Sequence, residues 1–202
     1  MKKLLAVMLM MFTLPSFAGV NGDVGVYSDY LFRGETQSMG NRSAQGWVQA
    51  DYKGAYGGVW LGEVEGIGDA SYEYDLYAGY YLEVNDKWWF DAGVIQYRYD
   101  DKAIDHTEEW YVGGGNDWID VYQYTDMDDR ENNYREVNLK MPLVKVVDLS
   151  LRHGVRYDDS TYQMLTVSKT TDKGWVLGME VLDSARDGEF MDSASFFLKR
   201  NF

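Results

Sequence analysis

A chain of 202 residues with a formal net charge of −14 has room for one domain and lacks the basic face that a nucleic-acid partner demands. It contains no cysteine, which removes disulfides, thiol chemistry and thiolate-bound metals together. Aromatic residues still make up 16%, with 17 Tyr and 7 Trp, a load that suits a membrane barrel with a polar lumen and aromatic belts at its rims.

Lys2 and Lys3 precede an apolar stretch over 4–14 and the small-residue site Ser16-Phe17-Ala18. This is the layout of a secretory signal peptide, so 1–18 is expected to be cleaved and 19–202 to form one outer-membrane barrel domain. The leader removes two lysines and no acid, leaving the mature chain more acidic still. Beyond it no apolar run approaches the ~20 residues of a spanning helix. Of the two prolines, Pro15 lies in the leader and Pro142 is assigned to a turn. A closed sheet has no edge strand to tolerate a third.

From residue 20 onward the pattern has period two and no helical period. Twelve segments carry it: 20–33, 43–53, 56–65, 72–83, 87–99, 107–114, 117–126, 133–142, 145–157, 160–169, 174–182 and 193–202. In the clearest, Tyr72, Tyr74, Leu76, Ala78, Tyr80 and Leu82 share one face and Glu73, Asp75, Tyr77, Gly79, Tyr81 and Glu83 the other. The faces of 56–65 and 160–169 are ambiguous. Alternate connections are short (53–55, 85–86, 114–116, 143–144, 170–173). Those between them are mostly longer and acidic (33–42, 65–71, 100–106, 126–132, 158–159, 183–192). Short periplasmic turns, longer external loops and an even strand number are the layout of an all-β, twelve-stranded antiparallel up-and-down transmembrane β-barrel. In this layout Asp128 and Asp187 are external, and Lys53 and Asp86 periplasmic. In the last segment Ala194, Phe196, Leu198 and Phe202 oppose Ser193, Ser195, Lys199 and Asn201. A terminal Phe202 on an alternating strand is the expected signal to the barrel assembly machinery, although Arg200 stands at a normally apolar position.

Parity along the first segment turns Asp23, Tyr27, Asp29, Leu31 and Arg33 inward and Val24, Val26, Tyr30 and Phe32 toward lipid. Arg33 belongs to the only external connection with net positive charge. It reads as a charged element at the pore mouth or as the counter-ion of inner acids such as Asp29, which would otherwise be desolvated in the wall. The inner faces collect Asp23, Asp29, Glu73, Asp75, Glu83, Asp91 and Asp120 against Arg33, Arg98, Arg152, Arg156 and Lys199. The pore-lining or mouth candidates are thus Arg33, Asp29, Glu73, Asp75, Asp91 and Asp120. The acidic external rim concentrates cations within a Debye length of ~8 Å.

Residues 27–38, Tyr-Ser-Asp-Tyr-Leu-Phe-Arg-Gly-Glu-Thr-Gln-Ser, resemble the motif that opens the mature chain in the TorF family of proteobacterial porins. Gly57-Gly58-Val59-Trp60 resembles a second strand motif of that family, and 74–80 a third. The resemblance spans about 20–100. The chain departs from it after Trp60, where Glu63-Val64-Glu65-Gly66-Ile67 replaces an asparagine-rich stretch. The resemblance implies an outer-membrane, porin-like protein and no particular substrate.

Enzyme readings fare less well. His153 falls on a lipid-facing position with Tyr134 and Met164 as expected cross-strand neighbours, and no serine is beside it to complete a triad. His106 clusters with Asp100, Asp101 and Asp105, a solvated loop more often than a water-activating pair. Gly113-Gly114-Gly115 lacks the strand-to-helix setting of a phosphate loop and reads as turn flexibility. The Tyr and Trp residues are assigned to the girdles rather than to sugar stacking. The sequence therefore points to passive passage of small solutes or ions, with a preference for cations and no cofactor or metal. Outer-membrane lipids and the assembly machinery are the expected partners, nucleic acid is not, and the oligomeric state is open. A plugged structural or adhesive barrel is the first rival and a barrel hydrolase the second.

Overall fold

The computed structural model describes residues 19–129, 133–141, 147–186 and 189–202. The leader, the Pro142 turn with 143–144, Glu131 and Asp187 lie outside them. Among the described residues all regular structure is strand: β1 Val20–Tyr27, β2 Leu31–Phe32, β3 Glu35–Thr36, β4 Ser43–Tyr52, β5 Ala55–Glu63, β6 Tyr72–Glu83, β7 Trp89–Tyr99, β8 Thr107–Gly115, β9 Ile119–Asp126, β10 Asn133–Lys140, β11 Asp148–Val155, β12 Thr161–Thr170, β13 Trp175–Arg186 and β14 Glu189–Asn201. β1 and β4–β14 form a closed twelve-stranded antiparallel barrel. The seam joins the first strand to the last, Asp23 facing Asn201 and Tyr27 facing Phe197, so no edge is left unpaired.

Two sequence expectations change here. The first strand stops at Tyr27 instead of running to Arg33; residues 31–36 form a separate hairpin, β2–β3, turned into the lumen. The expected loop 183–192 is largely ladder, with Asp183 opposite Asp192 and Arg186 opposite Glu189. Its acidic composition suggested a loop, but pairing satisfies its backbone groups at least as well as water does.

The surface is inverted relative to a soluble protein. Leu76, Leu82, Val94, Val121, Leu139, Leu177, Phe196 and Leu198 stand exposed on the outer face. Among the described residues, more polar or charged side chains than apolar ones are buried. Tyr52, Trp88, Trp118 and Trp175 project at the short-turn end, as an aromatic girdle does.

Most of the tyrosines do something else. Tyr77, Tyr111, Tyr122 and Tyr162 lie inside, each packed against a wall glycine (Gly58, Gly93, Gly113 and Gly154), where a Cβ would collide with it. Gly113 is therefore a seat for the Tyr122 ring within β8, not part of a flexible turn. The packed core is inside the barrel too. Tyr134, Tyr162, Met164 and Leu182 receive Leu31 on one side, and Tyr30, Val64 and Ala70 receive Phe32 and Trp60 on the other.

Candidate functional site

The site begins with the chain's turn inward after β1. Asp29, one of the expected mouth acids, stitches this segment together. Its carboxylate accepts hydrogen bonds from Thr36 Oγ1, from Ser38 Oγ at 2.9 Å and from Gly40 N at 3.3 Å. Ser195 Oγ donates to the Asp29 carbonyl at 2.6 Å and so ties the segment to β14. Tyr30 is 7% exposed and its ring packs on Trp60 at 5.1 Å, while Phe32 packs on Tyr97 at 5.9 Å. The expectation that both face lipid is overturned. Three consecutive apolar residues, Tyr30-Leu31-Phe32, cannot share one face of a strand; folding inward buries Tyr30 and half-buries Leu31 and Phe32.

Arg33 and Gly34 form the hairpin tip with φ of 46° and 86°. Positive φ at both central residues is the geometry of a type I′ turn. An arginine held there is uncommon and mildly strained, a conformation that persists only where surroundings impose it. The surroundings are explicit. Nη1 and Nη2 of Arg33 donate to Oε1 and Oε2 of Glu109, each at 2.7 Å, and Nη2 also donates to Tyr97 Oη at 3.2 Å. The guanidinium lies 4.1 Å from the Tyr134 ring centre, 4.8 Å from Tyr124 and 4.9 Å from Phe32. Arg156 Nη1 donates to the Arg33 carbonyl at 2.7 Å and pairs with Glu35 at 3.5 Å. A side chain at position 34 would strike Tyr162. Arg33 thus stands inside the lumen rather than at its mouth, in a forked ion pair and against three aromatic faces.

Four cavities follow one another past this tip. The outer one, about 390 Å³, is lined by Arg33, Glu35, Glu109, Asp126 and Arg156. The central one, about 370 Å³, shares Phe32, Arg33 and Tyr134 with it and adds Trp47, Trp60, Asp75 and Glu136. Two vestibules open toward the short-turn end, about 740 Å³ around Asp51, Tyr56, Glu83 and Asp91, and about 680 Å³ around Asp120, Glu136, Lys140 and Arg152. The hairpin tip is the partition between the outer and central spaces.

The other expected residues are spread along this path. Glu73 is buried and accepts from Tyr99 Oη at 3.0 Å. Asp75 lines the central cavity and its Oδ1 has no hydrogen-bond partner among the described residues. Asp91 accepts from Tyr56 Oη at 2.7 Å and Tyr122 Oη at 3.2 Å. Asp120 pairs with Lys140 at 2.6 Å and accepts from Asn138 at 2.7 Å. Arg98 is misplaced by the sequence pattern. It pairs across from Tyr74, one step out of phase with the inward Asp75 and Tyr97, and so faces outward. Glu109 was missed because Glu108 sits beside it and blurs the parity of β8. Tyr97, Tyr124 and Tyr134 were missed because girdle duty absorbed the aromatics.

The hydrolase candidates meet partners other than a catalytic set. His153 lies opposite Val137 and Gln163, not Tyr134 and Met164, and its imidazole meets Gln163 Nε2 at 3.1 Å. Asp100 accepts from the backbone N–H groups of Ser71 and Tyr72 and Asp101 from those of Asp69 and Ala103, while His106 faces Glu108 at 3.5 Å. Those donated N–H groups hold the Asp101 carboxyl below the usual carboxylate range.

Comparison with known proteins follows the same line. A KdgM porin structure superposes with a TM-score of 0.64 at 12% identity, covering 90% of this chain and 99% of that one. A structure described as KdgM porin in complex with disordered oligogalacturonate gives 0.63 at 12% identity, covering 91% and 98%. Such identity speaks for a shared fold alone. No curated protein matches the chain. The profile of Gcw_chp, described as a bacterial protein of unknown function, matches residues 15–197, and the chain belongs to that family.

Proposed function

We propose that the barrel is an outer-membrane, porin-like channel that passes small solutes or ions by passive diffusion and prefers cations. One observation carries the reading: polar cavities with shared walls succeed one another along the lumen, and inward acids outnumber inward bases. Register puts Asp23, Asp51, Glu73, Asp75, Glu83, Asp91, Glu109, Asp120, Asp126, Glu136 and Glu180 on the inner face. Lys140, Arg152, Arg156, Lys199 and the inserted Arg33 oppose them. The KdgM relative's oligogalacturonate is a polyanion, and an acidic lumen of this kind fits a different cargo.

The apolar outer face and the girdle tryptophans fit insertion into the outer membrane of a Gram-negative bacterium. The signal peptide over 1–18 and delivery to the assembly machinery through Phe202 belong to the same reading, as does the TorF resemblance, whose first motif is the inserted hairpin. The chemistry is passage without catalysis. The decisive measurement is the reversal potential of the reconstituted barrel across a potassium chloride gradient, with cation preference expected. Anion preference would overturn the reading. A second reading, the plugged structural barrel, draws on the firmly anchored hairpin, and absence of any conductance would favour it.

A further inference from the structure

Every basic side chain that meets an aromatic ring in the lumen does so with a carboxylate alongside. Arg33 has Glu109 and the Tyr134 face; Lys140 has Asp120 and the Trp89 face at 5.9 Å. The central cavity repeats the arrangement with one member supplied by no residue of the chain. Asp75 is 6% exposed, its Oδ1 accepts no hydrogen bond, and it has no ion-pair partner among the described residues. The two arginines lining the same space are engaged elsewhere, Arg33 with Glu109 and Arg152 with Glu136 at 3.7 Å. Trp47 and Trp60 wall the cavity. A buried carboxylate without a partner is costly, and one facing aromatic rings is matched by a desolvated cation.

We infer that the central cavity is a binding site for a small organic cation of the guanidinium or alkylammonium class, with Asp75 as its counter-ion and Trp47 and Trp60 as its stacking walls. A volume of about 370 Å³ accommodates such a molecule. Neutral sugars would stack on the same rings but leave Asp75 unpaired, and polyanions would be repelled by it. The site rests on the channel reading and narrows its cargo.

The test is calorimetric titration of the detergent-solubilised full barrel with agmatine, with glucose and galacturonate as contrasts, beside bilayer conductance of the same preparation. Saturable agmatine binding is expected, about tenfold weaker in Asp75→Asn and also weakened in Trp60→Leu, which keeps the charge. Heat-modifiable gel mobility verifies that each variant is a closed barrel. Equal affinity in Asp75→Asn, or glucose binding as tightly as agmatine, would overturn the site. Agmatine binding without conductance would leave the site standing and remove the channel reading. Conductance without agmatine binding would do the reverse.

Discussion

Arg33 concentrates three costs in one residue: a positive φ, a buried charge and the ordering of a long side chain. Each is offset locally, by the Gly34 turn, by the Glu109 fork and by the Tyr134 and Tyr124 faces. Removing one partner therefore exposes the others. Arg33→Ala is expected to leave Glu109 buried and unpaired and to lower stability by about 3 kcal/mol, with Glu109→Gln in the same chain restoring most of it. Urea unfolding of the refolded barrel measures both. The same substitution widens the partition between the outer and central cavities and deletes a positive charge, so single-channel conductance and cation preference both rise. Arg33→Lys keeps the charge but not the fork, and falls between. Unchanged conductance in Arg33→Ala would mean that the tip is not the narrow point.

At the level of elements, the hairpin is separable from the wall. β2 and β3 pair only with each other, and the closed ladder of β1 with β4 and β14 does not include them. Replacing 31–36 by a short glycine-serine linker is expected to leave a heat-modifiable barrel with a larger conductance. Failure to form a closed barrel would make the hairpin part of the fold rather than of the passage. Topology is checked with single cysteines and an impermeant thiol reagent on intact cells, which is expected to label position 128 and not 53 or 86. Twelve strands were legible in the sequence because wall strands alternate between lipid and lumen. The alternation failed where neither environment applied. Residues 28–42 lie between wall strands and turn into the lumen over 31–36, so parity misplaced Tyr30 and Phe32. The Arg33-Gly34 turn was overlooked because the usual first residue of such a hairpin is Asn, Asp or Gly. Register also escaped: His153 meets Val137 and Gln163 because tight turns, the only register marks in the sequence, leave slips of one to three residues open.

For the molecule as a whole, the acids divide between wall and rim. Asp126, Asp128 and Asp129 cluster at the loop end, where Asp126 Oδ1 accepts the backbone N–H groups of the other two. Exchanging Asp128 and Asp129 for Asn should reduce the reversal potential at low salt and change it little at high salt, since screening already removes the rim's contribution there. No change at either salt concentration would assign selectivity to the wall alone. The hairpin has a consequence of another kind, in time rather than space. Its anchors lie 76 residues downstream at Glu109, 123 at Arg156 and 166 at Ser195. The segment is thus made early, but every surface that holds it arrives later, the last of them on the strand that seals the seam. Docking belongs to the end of assembly, and contacts this distant along the chain form slowly. Refolding followed by tryptophan emission should show Trp60 being covered no earlier than the gel shift that reports closure. In Arg33→Ala that final phase should shrink while closure keeps its rate.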